Sequence, residues 1–90
     1  MLEAIKCAEE ASSIGEVPVG AIIYNPKTSQ IISKSFNKTN KNMDPTAHAE
    51  INVIRDACKK LECSRLIDCD LYVTLEPCIM CAAAISQARI

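Results

Sequence analysis

Met1, Ala4, Ile5, Ala8 and Ala11 recur at intervals of three and four, with Glu3, Lys6, Glu9 and Glu10 between them, which predicts an amphipathic helix over residues 2–13. Gly15 stops it. The period then changes. Pro18 to Tyr24 is a short apolar run rich in β-branched residues, the pattern of a strand covered on both faces. Asn25 to Ser29 is a turn, and Ile31 to Phe36 reads as a second strand, antiparallel to the first because the connection is too short for a crossover. Phe36 to Met43 is polar, rich in Asn and Lys, and predicts a loop. From Ala47 the helical period returns. Ile51, Ile54, Cys58 and Leu61 mark an apolar stripe, while Arg55, Asp56, Lys59 and Lys60 face outward. A turn around Cys63 to Asp68 leads to a third strand at Leu71–Thr74, and residues 79–88 predict a last helix.

Helix, hairpin, helix, strand, helix predicts an α/β layer arrangement with a mixed sheet in one domain spanning residues 1–90. An apolar fraction of 49% in 90 residues is enough for a modest core and excludes a disordered chain. Met1 leads directly into amphipathic residues, so neither a signal peptide nor a membrane span is expected, and the expected compartment is the cytoplasm. The net charge of −1 gives no overall attraction to nucleic acid. Its distribution changes that picture. Lys27, Lys34, Lys38 and Lys41 lie between Val17 and Met43 with no acid among them, which reads either as a solvated surface or as a rim facing phosphate.

Six cysteines without a secretory signal do not suggest a disulfide framework. Cys7, Cys58, Cys63 and Cys69 read as small buried or half-buried residues. Cys78 and Cys81 differ. Their i, i+3 spacing brings two sulfurs to one face of a helix start, within reach of a single ion. Pro77 just ahead suits that start, and the free N–H groups of the first turn favour the thiolate form that binds metal. His48, the only histidine, offers a third ligand. One His and two Cys leave the fourth position of a zinc ion open, as a catalytic site requires. Residues two apart on a regular helix diverge, so His48 and Glu50 converge only if His48 lies at an irregular helix entrance. Asp44-Pro45-Thr46 supplies that entrance, with Asp44 or Thr46 as the cap. Glu50 then reaches the water at the metal without ligating the ion. Glu76 has two readings: a partner that orients the site, or an acid at the start of the following helix.

His-x-Glu followed by Pro-Cys-x-x-Cys is the signature of the zinc-dependent nucleobase deaminases. Residues 44–51 (Asp-Pro-Thr-Ala-His-Ala-Glu-Ile) and 71–82 (Leu-Tyr-Val-Thr-Leu-Glu-Pro-Cys-Ile-Met-Cys-Ala) resemble the tRNA-specific adenosine deaminases, and the resemblance runs through essentially the whole chain. It implies a three-layer α/β/α, cytidine-deaminase-like fold with a mixed sheet, of which these residues form the N-terminal portion, with further strands and helices beyond residue 90. It also implies one zinc per chain on His48, Cys78 and Cys81, with Glu50 as catalytic base and then acid, and Asn37 and Ala49 in contact with the substrate base. The implied reaction is hydrolytic deamination of the wobble adenosine to inosine in a tRNA anticodon loop, by a homodimer. Two rival readings are a free-base or nucleoside deaminase acting on guanine or cytosine, and a non-catalytic zinc-stabilised fragment.

Overall fold

The computed structural model describes residues 1–90. In chain order the elements are α1 (Leu2–Ser13), β1 (Gly20–Asn25), β2 (Gln30–Phe36), α2 (Ala49–Leu61), β3 (Asp70–Val73) and α3 (Ile79–Gln87). Each element expected from the periodicity is present. The sheet has the order β2-β1-β3, so β1 is central, and its residues Ala21, Ile22 and Ile23 are all buried.

Successive side chains of β1 point to opposite faces and thereby define three layers. Ala21 and Ile23 join the main core with Ala49, Val53 and Ala57 of α2, while Ile22 and Tyr24 face Met1 and Leu2 at the start of α1. Both strand pairs are antiparallel, with Ile22 opposite Lys34 on one side and Tyr72 on the other. No parallel pair of the expected mixed sheet falls within these residues.

The buried helix faces differ from the expected stripes for one shared reason. On α1 the buried residues are Ala4, Cys7, Ala8 and Ala11, whereas Met1 and Ile5 remain exposed. The strand comes too close for large side chains. A Cβ at Gly20 would lie 2.5 Å from the Ala8 backbone nitrogen and would also strike the Ala4 carbonyl. On α2 the buried face is Ala49, Glu50, Val53 and Ala57. Ile51, Ile54 and Cys58 are half-buried and Leu61 is exposed, so the small residues of i, i+4, i+8 spacing take the sheet side. Close approach lets the Ser33 hydroxyl donate to the Val53 carbonyl at 2.8 Å.

Among the isolated cysteines, Cys7 and Cys69 are buried and Cys58 is half-buried, as expected, but Cys63 is exposed on the turn after α2. That turn is held instead by Leu66, which is fully buried and whose N–H donates to the Ala88 carbonyl at 2.7 Å. No helix is long and apolar enough to cross a membrane.

Candidate metal centre

The centre is built from two chain segments that enter helices. The first is the loop between β2 and α2. Asn52, on the first turn of α2, donates its side-chain amide to the Phe36 carbonyl at 2.9 Å and to the Ala47 carbonyl at 3.1 Å, tying both ends of the loop to the helix. The Lys38 N–H donates to the Ala47 carbonyl at 2.9 Å, which closes the loop at its neck. From the other side Glu16, itself buried, accepts the Asn40 N–H at 3.2 Å and the Lys41 N–H at 2.7 Å.

The loop ends on His48, which is the N-cap of α2 with extended backbone angles, φ −69° and ψ 157°. The irregular entrance expected for His48 is therefore present, but neither Asp44 nor Thr46 caps the helix. The Asp44 carboxylate instead accepts from the Thr46 N–H at 2.9 Å and the Thr46 hydroxyl at 2.6 Å. That local turn consumes Asp44 four residues upstream, and its hydrogen bonds hold the Asp44 carboxyl below the usual range.

The second segment runs from β3 into α3. Gly20 and Thr74 exchange two hydrogen bonds, Thr74 N–H to the Gly20 carbonyl at 3.0 Å and Gly20 N–H to the Thr74 hydroxyl at 3.1 Å. The chain is thereby anchored to β1 just before Pro77, and Cys78 becomes the N-cap of α3, again extended, at φ −74° and ψ 175°.

His48, Cys78 and Cys81 meet. The Nδ1 atom of His48 lies 3.7 Å from Cys78 Sγ and 3.4 Å from Cys81 Sγ, and the three ligand atoms all fall within 4.8 Å of one another. Zinc–sulfur and zinc–nitrogen bonds of about 2.3 and about 2.0 Å at a tetrahedral angle give a nitrogen–sulfur edge of roughly 3.6 Å. The two observed edges bracket that value, so the donor set fits zinc in both type and spacing. Its burial is graded: Cys81 is buried, His48 half-buried and Cys78 exposed.

The two thiols are electrostatically unequal. Cys78 is lowered from its ordinary pKa, chiefly by the Cys81 backbone N–H and further by the Cys81 thiol and the Met80 N–H, against burial and the nearby Glu50 charge. These N–H groups act through the helix-start field, since none meets the geometry of a capping hydrogen bond. Cys81 is pushed up to about 12, first by burial, then by its hydrogen bond to Cys78 and by the Glu50 charge. Cys7, Cys58 and Cys69 also rise through burial. Of these five thiols, Cys78 alone is drawn toward thiolate.

A cavity of about 240 Å³ opens beside the three ligands and is lined by His48, Ala49, Glu50, Cys78, Asn37 and Glu76, with Val17, Val19 and Leu75 as its apolar wall. Glu50 is only 4% exposed. Asn37 is also buried; its side-chain oxygen accepts the Thr39 N–H at 3.1 Å, which leaves the amide nitrogen as the donor available to a ligand. All six residues singled out in the sequence, His48, Cys78, Cys81, Glu50, Asn37 and Ala49, thus belong to one place. Glu76 joins the cavity wall but is exposed and makes no side-chain hydrogen bond. The apolar wall was not singled out, since Val17, Val19 and Leu75 carry no chemical signature. Glu16 was missed too, although it is the acid that borders the acid-free stretch. A wider groove of about 460 Å³ between β2 and α2 holds Lys34, Asp56 and Lys60 but no cluster of metal donors.

Residues 1–90 match the family described as the cytidine and deoxycytidylate deaminase zinc-binding region. The chain is 51% identical over 90 residues to the tRNA-specific adenosine deaminase of Rickettsia bellii, covering 100% of this chain and 62% of that protein. A solved structure from work on A-to-I editing by tRNA:A34 deaminases at the wobble position superposes with a TM-score of 0.95 and 52% identity, over 100% of this chain and 64% of the other. Guanine deaminase from Bacillus subtilis superposes with a TM-score of 0.92 and 43% identity, over 98% of this chain and 55% of the other. The chain therefore spans less than two thirds of each relative.

Proposed function

Because this chain belongs to the cytidine and deoxycytidylate deaminase zinc-binding family, we propose that it forms the zinc-binding half of a hydrolytic deaminase that converts adenosine to inosine at the tRNA wobble position. The observation that carries the chemistry is the approach of His48 Nδ1 to both sulfurs at 3.4 and 3.7 Å beside a cavity that also holds Glu50 and Asn37. The choice of tRNA rests on the relatives at 51 and 52% identity.

His48, Cys78 and Cys81 would hold the ion, which supplies a Lewis acid that activates water at neutral pH. Glu50 takes a proton from the attacking water and returns it to the base, so that the C6 amine leaves as ammonia and a C6 carbonyl remains. Glu50 is largely buried yet lines the cavity beside the metal donors, which is where that exchange has to take place. Asn37 donates its amide to the base. Ala49, the first residue of α2, offers a helix-start N–H with no side-chain cap to compete for it. Val17, Val19 and Leu75 hold the ring against an apolar wall.

The same reading makes the protein a cytoplasmic homodimer. Support for self-association comes from the start of α3, where Ile79 is 92% exposed and Ala82 and Ala83 also face outward. Sedimentation at several concentrations tests it, and a monomer throughout refutes it.

The functional test is inosine formation in an anticodon stem-loop with adenosine at the wobble position, compared with ammonia release from free guanine, cytosine and cytidine. Inosine in the stem-loop alone supports the proposal. Turnover of guanine with none in the stem-loop favours the chemistry named for the B. subtilis neighbour. No turnover of any substrate by zinc-loaded protein favours the non-catalytic, zinc-stabilised reading.

A further inference from the structure

A smaller pocket, of about 170 Å³, is lined only by polar residues: Lys38 and Asn42 from the loop, and Asn52, Arg55, Asp56 and Lys59 from α2. Residues 52, 55, 56 and 59 follow helical spacing, so one face of α2 forms the wall. Three cations face one carboxylate there. The chain as a whole carries −1, so this excess of positive charge is local.

The cations are available. Lys27 and Lys34, two of the other lysines of the acid-free stretch, are paired with Asp68 at 3.2 Å and with Glu3 at 4.0 Å. Lys38 and Lys59 make no ion pair, and the only partner of Arg55 is Asp44, at 4.0 Å. The Lys38 ammonium lies 5.0 Å above the Phe36 ring, which fixes the direction of its stem. The pocket is also built in advance. Asn52 ties the loop to α2 and Glu16 pins Asn40 and Lys41 from behind, so little ordering remains to be done when a ligand arrives.

Position gives the pocket a meaning. Asn37 lines the cavity beside the metal donors, and Lys38, the next residue, lines this pocket; their Cα atoms are separated by one peptide unit, about 3.8 Å. The two cavities therefore share the 37–38 segment of the loop as a common wall, so a base in the first and a backbone phosphate in the second would belong to neighbouring parts of one polyanion. We propose that Lys38, Arg55 and Lys59 form a phosphate subsite for the backbone of single-stranded RNA next to the nucleotide being deaminated. The proposal rests on the reading of the substrate as RNA and adds the contact that grips it.

The test is the salt dependence of binding of the wobble-adenosine stem-loop to the zinc-loaded protein, its R55Q/K59Q double variant, D56N, and the control K27Q. One phosphate contact on a single strand contributes a slope of about 0.7 in log affinity against log salt. The double variant should lose about that much, so that between about 50 and about 200 mM salt the parent forfeits roughly 2.5-fold more affinity than the variant. D56N should bind more tightly than the parent at low salt, and K27Q should follow the parent. Zinc content and thermal midpoint, measured on every variant, confirm that fold and metal are intact. An unchanged slope in R55Q/K59Q, or an equal loss in K27Q, overturns the subsite while leaving RNA as the substrate. A parent that binds no stem-loop overturns both. Inorganic phosphate is the remaining arm: if it displaces the stem-loop from the parent at millimolar concentration but not from the double variant, the subsite is supported, and if it binds without displacing RNA the pocket serves a free anion and the proposal fails.

Discussion

Replacing Glu16 with alanine removes a buried carboxylate whose two oxygens each accept one backbone N–H, from Asn40 at 3.2 Å and from Lys41 at 2.7 Å. Hydrogen bonds to charged groups contribute about 1.5–3 kcal/mol each, which sets an upper value of roughly 3–6 kcal/mol for the pair. Asn40 and Lys41 are themselves exposed, so once the carboxylate is gone their N–H groups regain water. The net loss should therefore be the smaller figure, about 2–3 kcal/mol. E16Q keeps one acceptor but turns an amide donor toward a backbone donor, and should fall between the parent and E16A. The direct assay is amide hydrogen exchange. A local loss of about 2–3 kcal/mol speeds exchange at Asn40 and Lys41 by roughly 30- to 150-fold, while amides in the centre of β1 keep their protection. Stem-loop affinity should weaken in the same variant, since the loop must then be ordered on binding. Unchanged exchange at those two amides in E16A would refute the view that Glu16 holds the loop.

Four other outcomes follow from the same geometry. C78A should reduce zinc stoichiometry toward zero by metal analysis, because it removes one of three ligands and the thiol most readily ionised. E50Q should retain zinc yet lose about 10²- to 10⁴-fold in deamination rate, and loss of zinc instead would make Glu50 a structural residue. G20A should cost at least about 3 kcal/mol in urea unfolding, because the added Cβ meets the backbone of α1 at two points and neither a helix nor a central strand can yield cheaply. Zinc uptake near pH 7 should release about one proton from Cys81, held as a thiol by its pKa of about 12, so affinity should fall from about pH 8 to about pH 6; calorimetry in buffers of different ionisation enthalpy measures this, and a pH-independent affinity contradicts it.

Element order was legible because each segment has one dominant period, and the ligand set because His48, Cys78 and Cys81 have few alternative uses at those offsets. What the periodicity misplaced were the helix faces. Hydrophobicity ranks Ile5, Ile51 and Leu61 above Ala4, Ala49 and Ala57, yet the alanines are fully buried and Ile5 and Leu61 are exposed. The deciding quantity is the distance between layers, set by Gly20 under α1 and by the Ser33–Val53 contact under α2, and neither distance is written in a hydropathy pattern. The cap of α2 was misassigned for a related reason. Asp44 is a good cap residue by type, but its own turn with Thr46 satisfies it first. Glu16 was invisible because its partners are backbone groups in a loop far along the chain.

The two helix starts explain why the site is where it is. Serine, threonine, asparagine or aspartate at an N-cap stabilises a helix by about 1 kcal/mol over residues without a suitable acceptor. α2 and α3 instead begin at His48 and Cys78, and neither helix has a side-chain capping bond. Stability of roughly that size is thus set aside at each position, and the first-turn N–H groups of both helices are not taken up by a conventional capping side chain. Those groups draw Cys78 toward thiolate and leave the Ala49 N–H open to a ligand. An extended cap also turns His48 away from the direction it would take inside the helix, which is what lets it share a site with Glu50, two residues on. A conventional cap at residue 48 would strengthen α2 and remove the only nitrogen ligand. Metal binding returns the lost stability by mass action, because only the folded chain brings His48 within 3.7 Å of Cys78, thirty residues along the sequence.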